Sequence, residues 1–464
     1  PLITDEEGTI IRLGDVADLE TRKAFEEALS GYLSELDPED LTLESRRQLG
    51  VVLSNRGVIL RDEGRLEQAM NVFVSARQTL MSLVEDARED AEALFALSQV
   101  EYWIGQVSLD RGLMEEAAAS FRDYADVSAE LHRLEPDNPA WTMEVAYSLS
   151  NLGNLEMRKV PSNPRLVLDY FRSALEYNEK AASMDKRYES ELPESHAYLA
   201  DAWLGVCDID NANENRRKNV ALAEKYYMMD MGSNRLKQDY AYALTGLARV
   251  QQMMGQVGPA LDSLGKSIQM HRELLRSDPN NVSRQWNLLR ITEMQSQLLY
   301  LAGKADDAKQ MSASVKLQME NMIERNRGVG IDQSIAYNRL LRDLANRLYH
   351  EGEEARAESI LEQSAVQLAG LAQAHPQNRL VLHEAALSWF YWWDHDPAGF
   401  TDNIEPSRLI QIRESLNDSA CSDRDLAARI DVMQGRQERA RSTVAALIGE
   451  GYRELEFMAF CAEH

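Results

Sequence analysis

A repeat of 48 residues constrains the fold of this chain more than any other feature of its sequence. The two clearest copies are GVILRDEGRLEQAMNVF, which begins at Gly57, and GQVSLDRGLMEEAAASF, which begins at Gly105. In both copies a second Gly follows after seven residues, Ala after twelve and Phe after sixteen. The small leading residue recurs at Gly153, Gly205, Ala248, Ser296 and Ala345. The spacings of 48, 48, 52, 43, 48 and 49 residues between these seven positions predict an array of equivalent units.

The segments between the turns are predicted to be helices. The chain has only 12 Pro and 24 Gly among 464 residues, and its apolar residues recur with the helical period rather than in alternation. A small residue lets the first helix of each unit approach the second closely, and the Gly seven residues later ends the first helix in a tight left-handed turn. The sequence therefore predicts an all-α fold built from stacked helix pairs.

This frame resembles the tetratricopeptide repeat (TPR), a helix-turn-helix unit with a usual period of about 34 residues. The resemblance implies a right-handed α-solenoid in which the first helices line a concave groove. The repeat here is longer, because Pro136, Pro279 and Pro376 each stand 31 residues after their small residue, two helical turns later than in the family. Two whole turns added to each helix leave the apolar face unchanged. Bacterial regulatory proteins with long repeats are similar.

The frame divides the chain into three predicted parts. Residues 1–43 form an N-terminal segment with a capping helix at 19–36, residues 44–404 form about eight TPR-like repeats, and residues 405–464 form a degenerate C-terminal repeat and cap. A solenoid needs atypical ends to cover its last apolar faces. The chain begins at Pro1 rather than Met, which leaves open that it is a piece of a longer protein.

Composition restricts the location and the partners. The net charge of -26 disfavours direct binding to nucleic acid or anionic lipid, and no apolar run approaches the ~20 residues that span a bilayer. Three scattered cysteines, Cys207, Cys421 and Cys461, predict neither a disulfide framework nor a zinc site. We expect a cytoplasmic protein, either free or joined to a membrane anchor outside this chain.

The motifs of the common enzyme and cofactor classes are missing from the sequence. The stretch DIDNANEN at 208–215 begins like a calcium loop but lacks the central Gly and the closing Glu, and GVG at 328–330 lacks the third Gly of a dinucleotide loop. There is no phosphate-binding Walker sequence, no His-Glu-x-x-His and no Gly-x-Ser-x-Gly. We therefore predict no catalysis, no cofactor and no metal.

An aromatic cluster, SWFYWWDHDP, occupies residues 388–397. Adding 48 to Ala345 reaches Trp393, so the cluster ends the first helix of an eighth unit, and a Trp at the small position prevents close approach of its partner helix. We interpret the cluster as packing in a widened pair, with Phe390 still able to reach the groove. A metal site at 394–396 is disfavoured because adjacent helical residues point in different directions.

In the TPR family the groove is lined by the residues six and three before the small residue and by the one after it. Units one to four place only uncharged residues there, among them Tyr102, Tyr147 and Asn154. Units five to seven place arginines there, together with Glu293 and Asn346. The arginines are Arg249, Arg290, Arg339 and Arg342. Guanidinium groups bind carboxylates through paired hydrogen bonds, so this strip predicts an anion-binding surface. The alternative is that the arginines pair with acidic neighbours such as Glu293.

The predicted function is that of an interaction scaffold or adaptor in a regulatory or signalling system. It would bind a protein or peptide in the concave groove, through an acidic segment or a C-terminal carboxylate of the partner. Arg342 with Asn346 resembles the first half of the carboxylate clamp of this family, although Tyr391 stands where the next unit would supply the second Asn. The alternative is a ligand-sensing domain of a larger signalling protein whose effector lies outside this chain.

Overall fold

The computed structural model describes residues 2–4, 10–12, 42–279, 281–325, 331–350, 352–416, 420–453, 457–458 and 460–461. Strands β1 (Leu2–Thr4) and β2 (Ile10–Arg12) form a short antiparallel pair, and the other regular structure of the described residues is helical. The predicted capping helix at 19–36 lies outside the described residues. Residues Pro1–Leu155 and Glu156–His464 form two compact units, which we treat separately.

Helix pairs follow one another along the chain with the predicted period, which confirms the all-α solenoid class. The first helices of the pairs are α1 (Leu43–Asp62), α3 (Ala91–Asp110), α5 (Pro139–Arg158), α7 (Leu192–Gly205, preceded by a 3-10 turn at Lys186–Glu191), α9 (Asn234–Met253), α11 (Val282–Leu301), α13 (Ile331–His350) and α15 (Arg379–His395). The second helices are α2 (Leu66–Asp86), α4 (Met114–Leu134), α6 (Pro164–Met184), α8 (Ile209–Met229), α10 (Val257–Ser277), α12 (Ala305–Arg325) and α14 (Glu354–Ala374). Four shorter helices come last: α16 (Pro397–Asn403), α17 (Pro406–Ser415), α18 (Cys421–Met433) and α19 (Gln437–Gly449).

The helix ends follow from local chemistry. A short polar side chain caps the start of several first helices; the Asp90 carboxylate, for example, accepts from the amides of Glu92 and Ala93 at 3.1 Å. The turn glycines between helices, from Gly64 to Gly435, have φ between 72° and 79°. The next amide then bonds back across the turn, as Arg65 does to the Leu60 carbonyl at 2.9 Å.

Close packing at the small residues confirms their predicted steric role in the first unit. A methyl group added at Gly57 would lie 2.6 Å from the ring of Phe73, and Gly105 faces Phe121 in the same way. Both Phe side chains are fully buried, so neither ring can move aside without opening the core. Each of these two pairs therefore contains one close contact between a glycine and a buried aromatic ring.

The fourth pair corrects the register that the sequence suggested. Its turn residue is Cys207, with φ of 64°, and Ala200 and Ala212 stand seven before and five after it, both fully buried. Gly205 packs loosely, since a methyl group there would have its nearest neighbour, Pro164, at 3.9 Å. The small residue of this pair is therefore Ala200 and not Gly205. The groove positions become Glu194, Ala197 and Asp201, so the prediction of an uncharged fourth unit was wrong.

The aromatic cluster packs the end of the helical array in the second unit. Trp389 and Trp392 are 1% and 2% exposed, and the Trp389 indole donates to the carbonyl of Ala365 at 3.3 Å. His395 stacks on Tyr349 with ring centroids 3.5 Å apart. After α15 the chain forms the short helices α16 and α17 instead of a full second helix, so the pair is irregular as interpreted, and its widening stays a prediction.

The structure also contains a disulfide bond that the cysteine spacing did not predict. Cys207 in the α7–α8 turn is bonded to Cys421 at the start of α18, with 5.1 Å between their Cα atoms. Cys461 is the free cysteine. The two bonded residues are separated by 214 positions, so only the tertiary fold brings them together.

Candidate functional site

Hydrogen bonds between successive first helices recur at one position of the repeat. In each case a residue six before the small residue of its pair bonds to the residue nine before the small position of the next pair, 45 positions later. The three bonds join Gln99 to Glu144 at 3.1 Å, Tyr242 to Asn287 at 2.9 Å and Arg339 to Glu384 at 3.0 Å. We call these pairs of positions junctions.

Arg290 occupies the first position of the same junction in the sixth pair, but the second position is Ala336. Ala336 has no group that could accept a hydrogen bond from the guanidinium. The described residues give Arg290 no ion pair and no side-chain hydrogen bond, and the same holds for Arg249 in the preceding pair. Both side chains are exposed. Two guanidinium groups of the predicted strip are therefore available to a ligand.

Two other predicted arginines, Arg339 and Arg249, lie within electrostatic range of Arg290. Although Arg290 keeps contact with solvent, partial removal from water, together with the charges of Arg339 and Arg249, lowers its pKa to about 10. Asp343 and Glu384 act in the opposite direction. We call Arg249, Arg290 and Arg339 the arginine cluster. Like charges held together disfavour one another, and a bound anion would relieve that repulsion.

Arg342, the fourth predicted arginine, is part of the core. It is 3% exposed, forms an ion pair with Glu384 and lies 5.7 Å from the ring centroid of Tyr391. Burial raises the pKa of Glu384, but Arg342 and Arg339 together hold that pKa below its usual range. The predicted alternative of internal pairing thus applies to Arg342 and Arg339, with Glu384 rather than Glu293 as the partner.

The remaining predicted residues are divided between the two compact units. In the first unit Tyr147 is exposed, while Tyr102 and Asn154 are half-buried, and the Tyr102 ring lies edge-on to Trp103 at 4.8 Å. In the second unit Asn346 is half-buried beside the buried Arg342. A clamp built on these two residues is disfavoured, because the Arg342 guanidinium is already paired with Glu384.

Phe390 lies at a groove position, three residues before Trp393, but the protein itself covers it. The side chain is 3% exposed and meets the Phe460 ring edge-on at 5.6 Å. The Arg429 guanidinium lies 5.2 Å from the Phe390 ring centroid. Phe390 is therefore not available to a partner in this structure, because C-terminal residues fill the space in front of it.

Comparison with known proteins identifies the fold. No protein-family model matches the chain, and no curated protein matches it either. The apo form of RapI covers 92% of this chain and 94% of its own length at 8% identity, with a TM-score of 0.52. The chain has the tetratricopeptide-repeat fold.

Two further solved structures are similar to this chain. Aspartyl phosphate phosphatase F from Bacillus subtilis covers 93% of this chain and 89% of its own at 11% identity, with a TM-score of 0.47. TTC0263, a thermophilic TPR protein from Thermus thermophilus, covers 53% of this chain and 98% of its own at 18% identity, with a TM-score of 0.30. At these identities the likeness concerns the TPR fold and not the function.

Other kinds of site find no support in the described part of the TPR fold. Its His, Cys, Asp and Glu residues include no group of three or more that could hold a metal ion. None of the helices that the structure describes is both long enough and apolar enough to cross a membrane.

Two residues outside the predicted set determine whether the predicted arginines are paired or available. Glu384 pairs with Arg339 and Arg342 inside the protein, and Ala336 offers Arg290 no acceptor at the second junction position. Both residues stand nine before a small position, which is outside the three groove positions taken from the TPR family. Extending the register to that position, and comparing it with Glu144 and Asn287, would have found them.

Proposed function

We propose that this protein is an interaction scaffold that binds an acidic protein segment at the arginine cluster. The observation that carries the proposal is Arg290, an exposed guanidinium whose junction has Ala336 at the second position, where other junctions supply a hydrogen-bond partner. A carboxylate can take two parallel hydrogen bonds from such a group. Binding would also relieve the repulsion from Arg249 and Arg339. A regulatory or signalling role for this binding stays a prediction.

The geometry of successive pairs restricts the partner further. The three arginines come from α9, α11 and α13, which are successive first helices. Packed helices lie about 8–10 Å apart, and an extended chain advances about 3.3 Å per residue. Acidic residues about three positions apart would therefore meet successive arginines. The net charge of -26 repels acidic chains at long range, so recognition depends on the local field of the cluster.

A binding measurement with a defined probe tests the proposal. The probe is a short fluorescein-labelled peptide with Glu at every third position, prepared with either a free or an amidated C-terminus. Arg290→Glu should weaken its binding about tenfold or more, since a charge-assisted hydrogen bond contributes about 1.5–3 kcal/mol. Arg217→Glu is the matched control, because Arg217 is exposed on the second helix α8 and the substitution changes the net charge equally.

The two peptides and the two variants give distinct answers. Equal binding of the free and amidated peptides would assign recognition to the acidic side chains, and loss on amidation would assign it to the terminal carboxylate. If Arg217→Glu weakens binding as much as Arg290→Glu, attraction is nonspecific and the arginine cluster is not the site. The surface with Tyr102, Tyr147 and Asn154 stays a prediction for a separate, uncharged segment.

A further inference from the structure

The C-terminal residues pack on three of the first helices in the second unit. We call residues 420–453, together with Phe457, Phe460 and Cys461, the clasp. Its helix α18 contacts α15 and α7. Tyr452, Phe457 and Phe460 share one apolar cluster with Val250 and Met253 of α9. The clasp therefore joins first helices that are several pairs apart in the sequence.

The clasp covers surface that belongs to the proposed binding face. Phe390 lies at a groove position of the eighth pair and is buried by Phe460 and Arg429 of the clasp. On α9 the Gln252 side-chain amide donates to the Arg453 carbonyl at 3.1 Å, three residues beyond Arg249 of the arginine cluster. The clasp thus covers one groove position, Phe390, and also contacts α9 three residues beyond Arg249.

The two sides of the clasp are held by different interactions. On the α15 side, Arg379 forms an ion pair with Asp423, and the Ser422 carbonyl lies 3.3 Å from the His383 ring nitrogen. On the side of α7 and α9, the contacts are apolar apart from the Gln252 hydrogen bond and the bond from Cys421 to Cys207. The disulfide is therefore the strongest single link between the clasp and these helices.

The backbone at Cys207 gives an independent reason to assign this bond a role. The corresponding turns of five other pairs use Gly64, Gly112, Gly255, Gly303 and Gly352, all with positive φ. Cys207 is the one non-glycine residue with positive φ in the described part of the chain. A side chain in this conformation carries a steric penalty that glycine avoids. An outlier of this kind at a cross-link points to function.

We infer that the Cys207–Cys421 disulfide is a redox-controlled lock that holds the clasp against α7 and α9, at the edge of the partner-binding surface. This regulation rests on the proposed function. In a reducing cytoplasm a disulfide is usually transient and redox-sensing. With the bond closed, the clasp lies against Gln252, three residues beyond Arg249, while Arg249 itself stays exposed. With the bond open, the α15 contacts keep the clasp and its cover over Phe390 in place, while the contacts with α7 and α9 loosen and give the acidic partner more room beside Arg249.

Opening requires an external dithiol as the reductant. One thiolate of the dithiol attacks a sulfur of the bond, forms a mixed disulfide and expels the other cysteine as a thiolate, which takes up a proton. The second thiol of the reductant then attacks the mixed disulfide and releases the second cysteine. Two electrons pass from the dithiol to the Cys207–Cys421 bond, and the reductant leaves as its own disulfide.

The test compares the oxidised protein, the protein reduced with dithiothreitol, Cys421→Ala and the matched control Cys461→Ala. Cys461 borders the same apolar cluster but lies outside the bond, so its substitution leaves the lock intact. Alkylation with mass spectrometry counts the free thiols, of which we expect one before reduction and three after it. Hydrogen exchange then locates the opening, and the acidic peptide described above measures access.

Reduction and Cys421→Ala should each speed exchange about tenfold or more at 203–209 and 250–256 and leave 379–395 unchanged. Both should tighten peptide binding about threefold or more, while Cys461→Ala does neither. Three free thiols in the oxidised protein, unchanged exchange after reduction, or opening without tighter binding would each overturn the inference. If the peptide binds to no form, the proposed function fails, and the exchange data alone decide whether the bond holds the clasp.

Discussion

Arg339 and Arg290 occupy the same position in successive helix pairs, yet their surroundings differ. Arg339 donates to Glu384 on the next first helix at 3.0 Å and is half-buried. Arg290 has Ala336 at the second position of its junction, is exposed and lies within the field of two other arginines. The repeat therefore fixes the position of a side chain. A single residue on the next helix determines whether that side chain forms an internal ion pair or stays available to a ligand.

A third junction shows how far this variation extends. In the corrected register, Glu194 of the fourth pair stands opposite Asp239 of the fifth. Burial raises the pKa of Asp239, with Arg235 opposing and Glu194 reinforcing the rise. Neutral, salt-bridged, unpaired and like-charged junctions therefore occur along one chain. Charge at a groove position cannot be assigned to ligand binding until its junction partner is known.

Removing Glu384 eliminates the ion pairs of Arg339 and Arg342 and should have the largest effect on stability. Glu384→Ala leaves the buried Arg342 with the longer contact to Asp343, at 3.6 Å, in place of its close partner, and breaking a buried pair costs about 3–5 kcal/mol. We expect that loss in the free energy of unfolding, measured by urea denaturation followed by tryptophan fluorescence. The pKa of Glu384 is held below its usual range, so its contribution is present above the unfolded pKa and is lost as the pH falls through the folded pKa.

An exposed ion pair supplies the control for that measurement. Glu130 and Arg133 are paired in the first unit at 2.7 Å, with 38% of the Glu130 side chain and 64% of the Arg133 side chain exposed. Glu130→Ala should leave the free energy of unfolding nearly unchanged, because water and salt screen an exposed pair. Equal effects of the two substitutions would show that Glu384 is no more than a surface partner, and the contrast with Arg290 would lose its basis.

The comparison also depends on the register, which can be tested at two glycines. Gly57→Ala forces a methyl group to 2.6 Å from the buried Phe73 ring, and overpacking of this kind costs about 1–3 kcal/mol. Gly205→Ala has open space, with its nearest neighbour at 3.9 Å, and should change stability by less than about 1 kcal/mol. Urea denaturation of both variants gives the two values. A larger loss at Gly205 would restore the register that the structure corrected.

Several features of this fold could be predicted because they are repeated. The contact of Gly57 with Phe73 recurs as Gly105 with Phe121, and a pattern that recurs every 48 residues is visible without coordinates. The register of the fourth pair was predicted wrongly because Gly205 resembles a leading small residue, while the turn position holds Cys207 instead of Gly. A single substitution at the turn was enough to move the assigned register by five residues.

The chemistry of the candidate site was only partly predictable. The register placed Arg249, Arg290 and Arg339 on one face, and the structure brings Arg249 and Arg339 within electrostatic range of Arg290. It could not reveal that Arg342 is buried against Glu384, because that pairing depends on how two helix pairs meet. The clasp and its disulfide were beyond prediction for a related reason, since residues 214 positions apart meet only after the chain has folded.

Supplying an acceptor for Arg290 on the next helix tests the other side of the comparison and should have the smallest effect on stability. Ala336→Glu places a carboxylate at the position that Glu384 and Glu144 hold in their own junctions. The new pair with Arg290 should add about 0.5–1 kcal/mol to the free energy of unfolding, as for other partly exposed ion pairs. The same substitution should weaken binding of the acidic peptide, because an internal carboxylate then takes the hydrogen bonds of the Arg290 guanidinium.

Ala336→Gln is the matched control, since it fills the same space without a charge. Tighter or unchanged peptide binding in Ala336→Glu would mean that the empty junction position is not what leaves Arg290 available.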